Sequence, residues 1–364
     1  MPVYLNEKTK KYYVSIRYVD WQGIRRRKKK EGFSLAREAK AYEADFLSKM
    51  TADCNIKFSA LCEYYLEDFK NRHKLTTYKV KESCINTHFI DAFGNLPLNA
   101  ITSLTVRKWQ NIIMNKDYSK TYQRKINSEL SAIFNYACKY YKLATNPVRE
   151  AGTIGKKNAE GIDFWTVDEF KTFITTLSES KTDFARVADN QVLETVFTLL
   201  FYTGIRLGEL LALTIADFAA PNNGSYATVS ITKSYASVDG KDYIQEPKTP
   251  KSKRSITIPV KVWCKIQEHI SRMVDPAPQD RLFFMLSKHN LGRALKAIAA
   301  EAGVKAIRVH DLRHSHASLL INMDINILAI SERLGHEDIQ TTLNIYGHLY
   351  PSKAEQIADK LEKI

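Results

Sequence analysis

The 364-residue chain has no CxxC pair, and its five cysteines (Cys54, Cys62, Cys84, Cys138 and Cys264) are odd in number and scattered. That pattern excludes a disulfide framework and a cysteine-rich zinc site, and each thiol reads as a single buried group. Long apolar runs are missing as well, since stretches such as "LLF" and "ELLALTI" fall far short of a membrane span. The opening "MPVYLNEKTKKYYV" turns charged by its seventh residue and lacks the apolar core of a secretory signal, so a cytoplasmic protein with no membrane partner is expected. No internal repeat is visible. An acidic surplus is also absent: 54 Lys/Arg face 40 Asp/Glu, a net charge of +14. That balance favours a polyanionic partner, nucleic acid first, with a solvated basic face as the bland alternative. At 44% hydrophobic and 26% charged residues, the chain has ordinary globular proportions, and its length calls for two or three domains.

Residues 1–50 hold 13 Lys/Arg against 6 Asp/Glu, an excess of 7 and half of the net charge. Tyr12, Val14, Ile16 and Tyr18 alternate with Tyr13, Ser15, Arg17 and Val19, the period of a strand. "DWQG" supplies a turn, "IRRRKKK" a return strand, and "SLAREAKAYEADFLSKM" a helix with Ser34 as N-cap. Residues 1–52 therefore read as a small sheet backed by one helix, with Arg17, Arg25, Arg26, Arg27, Lys28 and Lys29 as candidate contacts to a DNA groove. A charged edge strand that resists aggregation is the alternative, although six consecutive basic residues exceed that need.

Residues 56–150 show apolar spacings of three and four in "FSALCEYYLEDFKNR", "KVKESCINTHFIDAF", "TSLTVRKWQNIIM" and "SKTYQRKINSELSAIFNYACKYY", a helical bundle. "FGNLPLNAIT" and "LATNPV" act as breakers, and Tyr122, Arg124 and Lys125 at the start of the last helix are candidate contacts to a DNA backbone. Residues 149–164 read as a linker long enough to pass around a duplex. From Thr166 and Glu169, which form a capping box, helices resume through "NQVLETVFTLLFYTGIRLGELLALT". "YATVSITKSYASV", "KDYIQEPKT" and "KRSITIP" predict a three-stranded sheet, and helices return from about 259. The fold class is α+β, mainly α: a small N-terminal sheet with its helix, a helical bundle, and a mostly helical third domain over 165–350 that carries the three-stranded sheet.

The third segment holds the groups that could do chemistry. His310 and His314, four apart, could share a metal, but Arg313 brings a positive charge beside them and no acidic cluster offsets it. His310 and Arg313, three apart, share a helix face and can point at one oxyanion. Arg206 lies among apolar neighbours in "YTGIRLGEL", where Gly204 breaks a helix and Gly208 permits close packing; a phosphate is a good partner for its planar fork, with Glu209 holding it. The plainer reading of that pair is a buried Arg206–Glu209 ion pair with no ligand. His336 follows Gly335, which ends a helix, and Tyr346 closes "DIQTTLNIY"; taken alone, Tyr346 reads as a core aromatic.

"TGIRLGEL", a lysine in a hairpin, "HDLRHSHAS" and "LGHEDIQTTLNIYGH", in that order over about 167–350, resemble the tyrosine recombinases, also called the lambda-integrase family, in the form found in phages and conjugative transposons. The first two segments are similar to its arm-type and core-binding domains. The resemblance implies that Tyr346 attacks a DNA phosphodiester to give a 3′-phosphotyrosine. Arg206 and Arg313 clamp the non-bridging oxygens, His310 serves as base or hydrogen-bond partner, and His336 is the second donor. Lys248 in "EPKTPKSKRSITIP" protonates the leaving 5′-oxygen, with Lys233, Lys251 and Lys253 flanking it, and Glu209 supports the first arginine. It implies no metal and no cofactor, a nucleoid-associated protein, and as partners double-stranded DNA at core and arm sites, a homo-tetramer on DNA, a directionality factor and a host DNA-bending protein. A tail over 351–364 places Ala354, Ile357, Ala358, Leu361 and Ile364 in an apolar stripe expected to dock on a neighbouring protomer, or else to pack within its own chain. The alternatives are a type IB topoisomerase-like relaxing enzyme and a non-catalytic DNA-binding regulator. The basic first segment and the tail argue against the former, and the ordered polar groups against the latter.

Overall fold

A computed structural model of the chain describes residues 3–7, 9–19, 25–51, 54–157, 161, 163–180, 189–221, 226–247, 249–347 and 362. The chain divides into two compact units, Met1–Glu160 and Gly161–Ile364.

In the first unit, β1 (Val3–Asn6), β2 (Lys11–Val19) and β3 (Arg25–Phe33) form an antiparallel sheet in that order, followed by α1 (Ala36–Thr51). β1 is an addition to the sequence reading, and the expected turn "DWQG" lies outside the described residues. Val14 and Ile16 are buried with Ala39 and Phe46 of α1, which fixes the inner face of β2. The register pairs Ser15 with Lys29 and Arg17 with Arg27. The pleat therefore puts Arg17, Arg25, Arg27 and Lys29 on the outer face, and Arg26 and Lys28 on the face toward α1. The Lys28 ammonium accordingly lies 4.9 Å from the centre of the Phe46 ring. The run of six basic residues is thus split between two faces. α1 begins at Ala36, where the Glu38 carboxylate accepts from the N–H groups of Ser34 and Leu35 at 3.2 and 3.3 Å, so the first turn is closed by a carboxylate.

The bundle comprises α2 (Phe58–Arg72), α3 (Leu75–His88), α4 (Ile90–Phe93), α5 (Ser103–Met114), α6 (Lys120–Tyr140) and α7 (Pro147–Ala151). Its core is built on Phe58, Phe89, Phe93, Trp109, Leu130 and Phe134. The expected linker at 149–164 begins too early. Asn146 accepts from the N–H of Val148 and Arg149 and Pro147 occupies the first turn, so "NPV" starts a helix rather than ending one. Ala151 and Ile154 are buried in the bundle, and Lys156 N–H donates to Lys120 O at 3.1 Å.

The second unit begins with α8 (Val167–Glu179), whose capping box is made by Thr166 and Glu169 as expected. Next come α9 (Asn190–Thr203) and α10 (Leu207–Ala212), then β4 (Phe218–Ala219), β5 (Tyr226–Ile231), β6 (Ser234–Val238), β7 (Lys241–Gln245) and β8 (Arg254–Pro259). α11 (Val260–Ser271), α12 (Lys288–Glu301), α13 (Asp311–Asn322), α14 (Ile327–Leu334) and α15 (Ile339–Tyr346) complete it. The three strand-like runs do not make one sheet. β5 lies between β4 and β8, while β6 and β7 form a separate hairpin. The reason is in the side chains: Ala227, Val229 and Ile231 of β5 bury against Ile256 and Ile258 of β8, whereas β7 has no buried face to offer. α9 is buried nearly all round through Leu193, Val196, Phe197 and Leu200, and forms the centre of this core. Among the described residues no helix is long and apolar enough to cross a membrane.

Candidate active site

Gly204 ends α9 in the left-handed conformation (φ +63°), and a Cβ there would lie 2.7 Å from the His316 ring and 2.9 Å from Leu334. The turn delivers Arg206 to the first residue before α10. Its N–H and its Nη1 donate to the two oxygens of Glu209, each at 2.9 Å. Gly208 lies against the β6 backbone, where a Cβ would meet Ser234 Oγ at 2.7 Å. Glu209 is 3% exposed and takes a second cation: Arg254, at the start of β8, donates from Nη2 at 2.9 Å and from Nη1 at 3.2 Å. Burial opposes the charge on Glu209, but the hydrogen bonds and charge of Arg254, then those of Arg206, overcome it and hold its pKa below the ordinary value.

The C-terminus of α14 gathers the arginines. Arg254 Nε donates to Arg333 O at 2.7 Å, Arg313 Nη2 to Leu334 O at 2.7 Å, and Arg206 Nη2 to Gly335 O at 3.4 Å. Arg313 also donates from Nη1 to Gly204 O at 2.7 Å, the carbonyl two residues before Arg206. The last carbonyls of a helix lack intrahelical donors and carry its negative dipole end, so three cations there are doubly favourable. Burial and then the charge of Arg206 push the pKa of Arg313 down to about 9, which leaves it cationic at neutral pH.

The same segment carries the remaining groups. Gly335 (φ +68°) turns the chain out of α14, and His336 follows, its Nδ1 2.8 Å from Thr342 Oγ1. α15 then brings Tyr346 back into a small core with Ala317, Ile321, Ile330 and Leu334. Tyr346 is 1% exposed, and its hydroxyl lies 2.7 Å from His314 Nδ1. Burial raises the phenol to a pKa of about 12 against the lowering pull of Arg313 and Arg206. Burial, then Arg313 and Arg206, push His336 down to about 3. His310, whose ring meets His314 edge-on just before α13, falls to about 4 through desolvation and the proximity of His314 and Arg313. Both are neutral at pH 7.

Arg206, Glu209, Arg313, His336 and Tyr346 therefore meet around the end of α14, and His310 stands at the head of the helix that bears Arg313. The phenol meets His314, which the sequence reading weighed only as a possible metal partner, and not His310. Lys248 lies outside the described residues, as do the tail residues Ala354, Ile357, Ala358, Leu361 and Ile364. Of the flanking lysines, Lys233 is held by Asp217 at 2.7 Å and Lys253 by Glu246 at 3.1 Å, whereas Lys251 Nζ donates to Glu337 O at 2.9 Å, one residue past His336. Sequence reasoning missed Arg254. Its signal was a charge at the same strand parity as the buried Ile256 and Ile258. It also missed the layer below, where Arg333 donates to His316 Nε2 at 3.0 Å and to Tyr202 O at 3.0 Å, while His316 Nδ1 lies 2.8 Å from Phe201 O. In the first unit Tyr122 is part-exposed with its hydroxyl 3.0 Å from His88 Nε2; Arg124 is half-buried and Lys125 exposed.

Residues 164–353 match the phage integrase family, residues 57–114 the N-terminal SAM-like domain of phage integrases, and residues 2–50 an arm DNA-binding domain. The chain is 30% identical over 325 residues to the ICEBs1 integrase of Bacillus subtilis, a match that covers 85% of this chain and 84% of that one. It is 27% identical to the integrase of Staphylococcus phage L54a, over 85% and 93% of the two chains. Among solved structures it is similar to the Tn1549 transposon integrase in complex with circular intermediate DNA (TM-score 0.65, 18% identity, 83% of this chain and 99% of that one). It is also similar to a lambda integrase dimer bound to a COC′ core site (TM-score 0.60, 16% identity, 97% and 95%).

Proposed function

The chain belongs to the phage integrase family and is a tyrosine-type site-specific DNA recombinase, and from that premise we propose that Tyr346 is the nucleophile that opens the DNA backbone. The observation that carries this reading is the end of α14, where three successive carbonyls hold Arg254, Arg313 and Arg206 and the chain continues directly to His336 and Tyr346. Phosphodiester attack builds negative charge on a pentacoordinate phosphorus. Guanidinium groups fixed in advance stabilise that charge more than they stabilise the ground state. Arg206, with a side chain 37% exposed, is the more accessible fork, and Arg313, held at both Nη atoms, is the rigid charge beneath it. Neutral His310 and His336 donate to the non-bridging oxygens. The phenolic oxygen bonds to phosphorus, the P–O5′ bond breaks, and Lys248 gives its proton to the departing 5′-oxygen. The bond energy stays in the 3′-phosphotyrosine, so rejoining needs no nucleotide cofactor; with arginine and lysine carrying the charge the step needs no metal, and adduct formation is expected to persist in EDTA.

In this reading the first segment, through Arg17, Arg25, Arg27 and Lys29 on the outer sheet face and Arg26 and Lys28 behind it, binds arm sites. The bundle, through Tyr122, Arg124 and Lys125, binds the core site. Four copies assemble on DNA, with residues 351–364 of each docking on a neighbour, and a directionality factor and a host DNA-bending protein are the further partners. The test is a nicked duplex bearing the crossover sequence that flanks the gene. The wild-type chain is expected to trap a covalent adduct and Tyr346→Phe none; an adduct formed by the Phe variant overturns the assignment. Deleting 351–364 is expected to abolish recombination while leaving DNA binding intact, and unchanged recombination removes the tail from the assembly.

A further inference from the structure

We infer that His314 is a catalytic residue of this site: its Nδ1 takes the proton of Tyr346 as the phenolic oxygen attacks. The inference rests on Tyr346 being the nucleophile. It adds a role for a residue that the motif order leaves unassigned and that, from sequence alone, entered only as a possible metal partner of His310.

The geometry is a relay of three groups. The Tyr346 hydroxyl lies 2.7 Å from His314 Nδ1, and the far ring nitrogen, Nε2, lies 4.0 Å from Asp311 Oδ1. Asp311 cannot turn away, because Arg308 donates to it from its backbone N–H at 2.7 Å, from Nε at 3.0 and 3.2 Å, and from Nη2 at 2.8 Å. Those bonds outweigh its burial and keep Asp311 ionised. A carboxylate facing Nε2 favours the tautomer with the proton on Nε2, and that tautomer leaves Nδ1 bare toward the phenol. The hydroxyl is then the donor and the imidazole the acceptor, the direction that proton removal requires.

The charges around His314 support the same assignment. From its own helix it faces Asp311, Arg313 and His310; Arg308 precedes that helix, Tyr346 comes from α15, and His336 from the turn before α15. Burial is the largest influence and lowers the His314 pKa, so the ring is neutral and able to accept at pH 7. The phenol, raised to about 12, carries no useful phenolate fraction at pH 7 and needs an acceptor within the step. In this conformation its hydroxyl is covered. Docking of a duplex has to replace that cover with the scissile phosphate, while His314, one residue after Arg313, remains beside it. In the step, the proton passes from the Tyr346 oxygen to His314 Nδ1, the oxygen's electron pair forms the bond to phosphorus, and the P–O5′ bond breaks as the 5′-oxygen takes a separate proton from the general acid. Religation returns the His314 proton to the tyrosine.

A purely structural His314 would also satisfy the buried hydroxyl, so the test must read proton transfer. Single-turnover adduct formation on the nicked duplex is measured from pH 5.5 to 9 for the full-length wild type, His314→Gln and Tyr346→Phe. DNA affinity and thermal midpoint are recorded for each. The wild-type rate is expected to be flat above about pH 6.5. His314→Gln is expected to lose about 10²–10⁴-fold at pH 7 and to recover about tenfold per pH unit as hydroxide replaces the base. Introducing 3,5-difluorotyrosine at 346, a more acidic phenol, should shrink that deficit by about tenfold or more. A deficit that is constant with pH and unmoved by fluorination, or no deficit, overturns the role of His314. An adduct in Tyr346→Phe would instead overturn the nucleophile. If His314→Gln does not fold, the fluorinated chain with His314 intact decides. An inflection that stays at the histidine's pKa supports the relay, and one that follows the phenol downward refutes it.

Discussion

Arg254 shows how much one side chain can hold together. It places two nitrogens on Glu209 and a third on Arg333 O, and the strand that bears it follows the β6–β7 hairpin in the chain. Removing it leaves Glu209 buried with Arg206 as its remaining cation. Arg254→Met is expected to destabilise the second unit by about 3–5 kcal/mol, the range for breaking a buried pair from one side. Arg254→Lys, which keeps the charge without the fork, should recover part of that loss; denaturant midpoints for the two variants check it. The acid side has a defined sign. His316, buried beside Arg333, is pushed to a pKa of about 3, and His310 and His336 are also depressed. A histidine whose folded pKa lies below its unfolded value, ~6.5, leaves the unfolded chain binding more protons below that pH. Stability is therefore expected to fall as pH drops from about 6.5 toward 4, before Glu209, held below the ordinary carboxylate range, begins to titrate. Denaturant midpoints at pH 7.5, 6.5, 5.5 and 4.5 measure this, and a flat line to pH 5 would contradict it.

At the level of elements, two glycine-ended helices assemble the site. α9 stops at Gly204, whose carbonyl binds Arg313; α14 stops at Gly335, whose carbonyl faces Arg206. Gly204→Ala combines a left-handed backbone with a Cβ 2.7 Å from His316. It is expected to cost more than about 1 kcal/mol and to lower adduct formation beyond what the lost stability explains, because Gly204 O and Leu334 both shift under Arg313. Adduct rates at equal folded fraction separate the two effects. Much of this was legible in the sequence: the breaks at Gly204 and Gly335, the capping box at Thr166, and Arg206 with Glu209 are local signals set by backbone conformation and by spacings of three. What was not legible is long-range. Nothing in "KRSITIP" says that Arg254 reaches α14, 79 residues on. Nothing local separates His310 from His314 as the partner of Tyr346, 32 residues beyond His314. The three strand-like runs were visible, but which of them pair depends on which faces find a core.

For the whole molecule, the uneven charge makes a quantitative forecast. A chain of net charge +14 with half the excess in residues 1–50 should bind duplex DNA with an affinity that falls steeply with salt, each phosphate contact contributing about 0.9 to the slope of log K against log salt. The pleat of the first sheet sorts the contributions. Arg17 and Arg27 are paired across β2 and β3 on the outer face, whereas Lys28 lies over the Phe46 ring. Arg17→Ala and Arg27→Ala are each expected to reduce the salt slope for arm-site duplex by about 1 with little change in stability. Lys28→Ala should cost about 0.5–1 kcal/mol of stability through the lost ring contact and leave the slope less affected. Fluorescence anisotropy across a salt series, run beside thermal melts, reads both quantities. An unchanged slope in the Arg17 and Arg27 variants, with Lys28→Ala lowering it, would mean that DNA approaches the helix-backed face, and the orientation proposed for the first segment would have to be reversed.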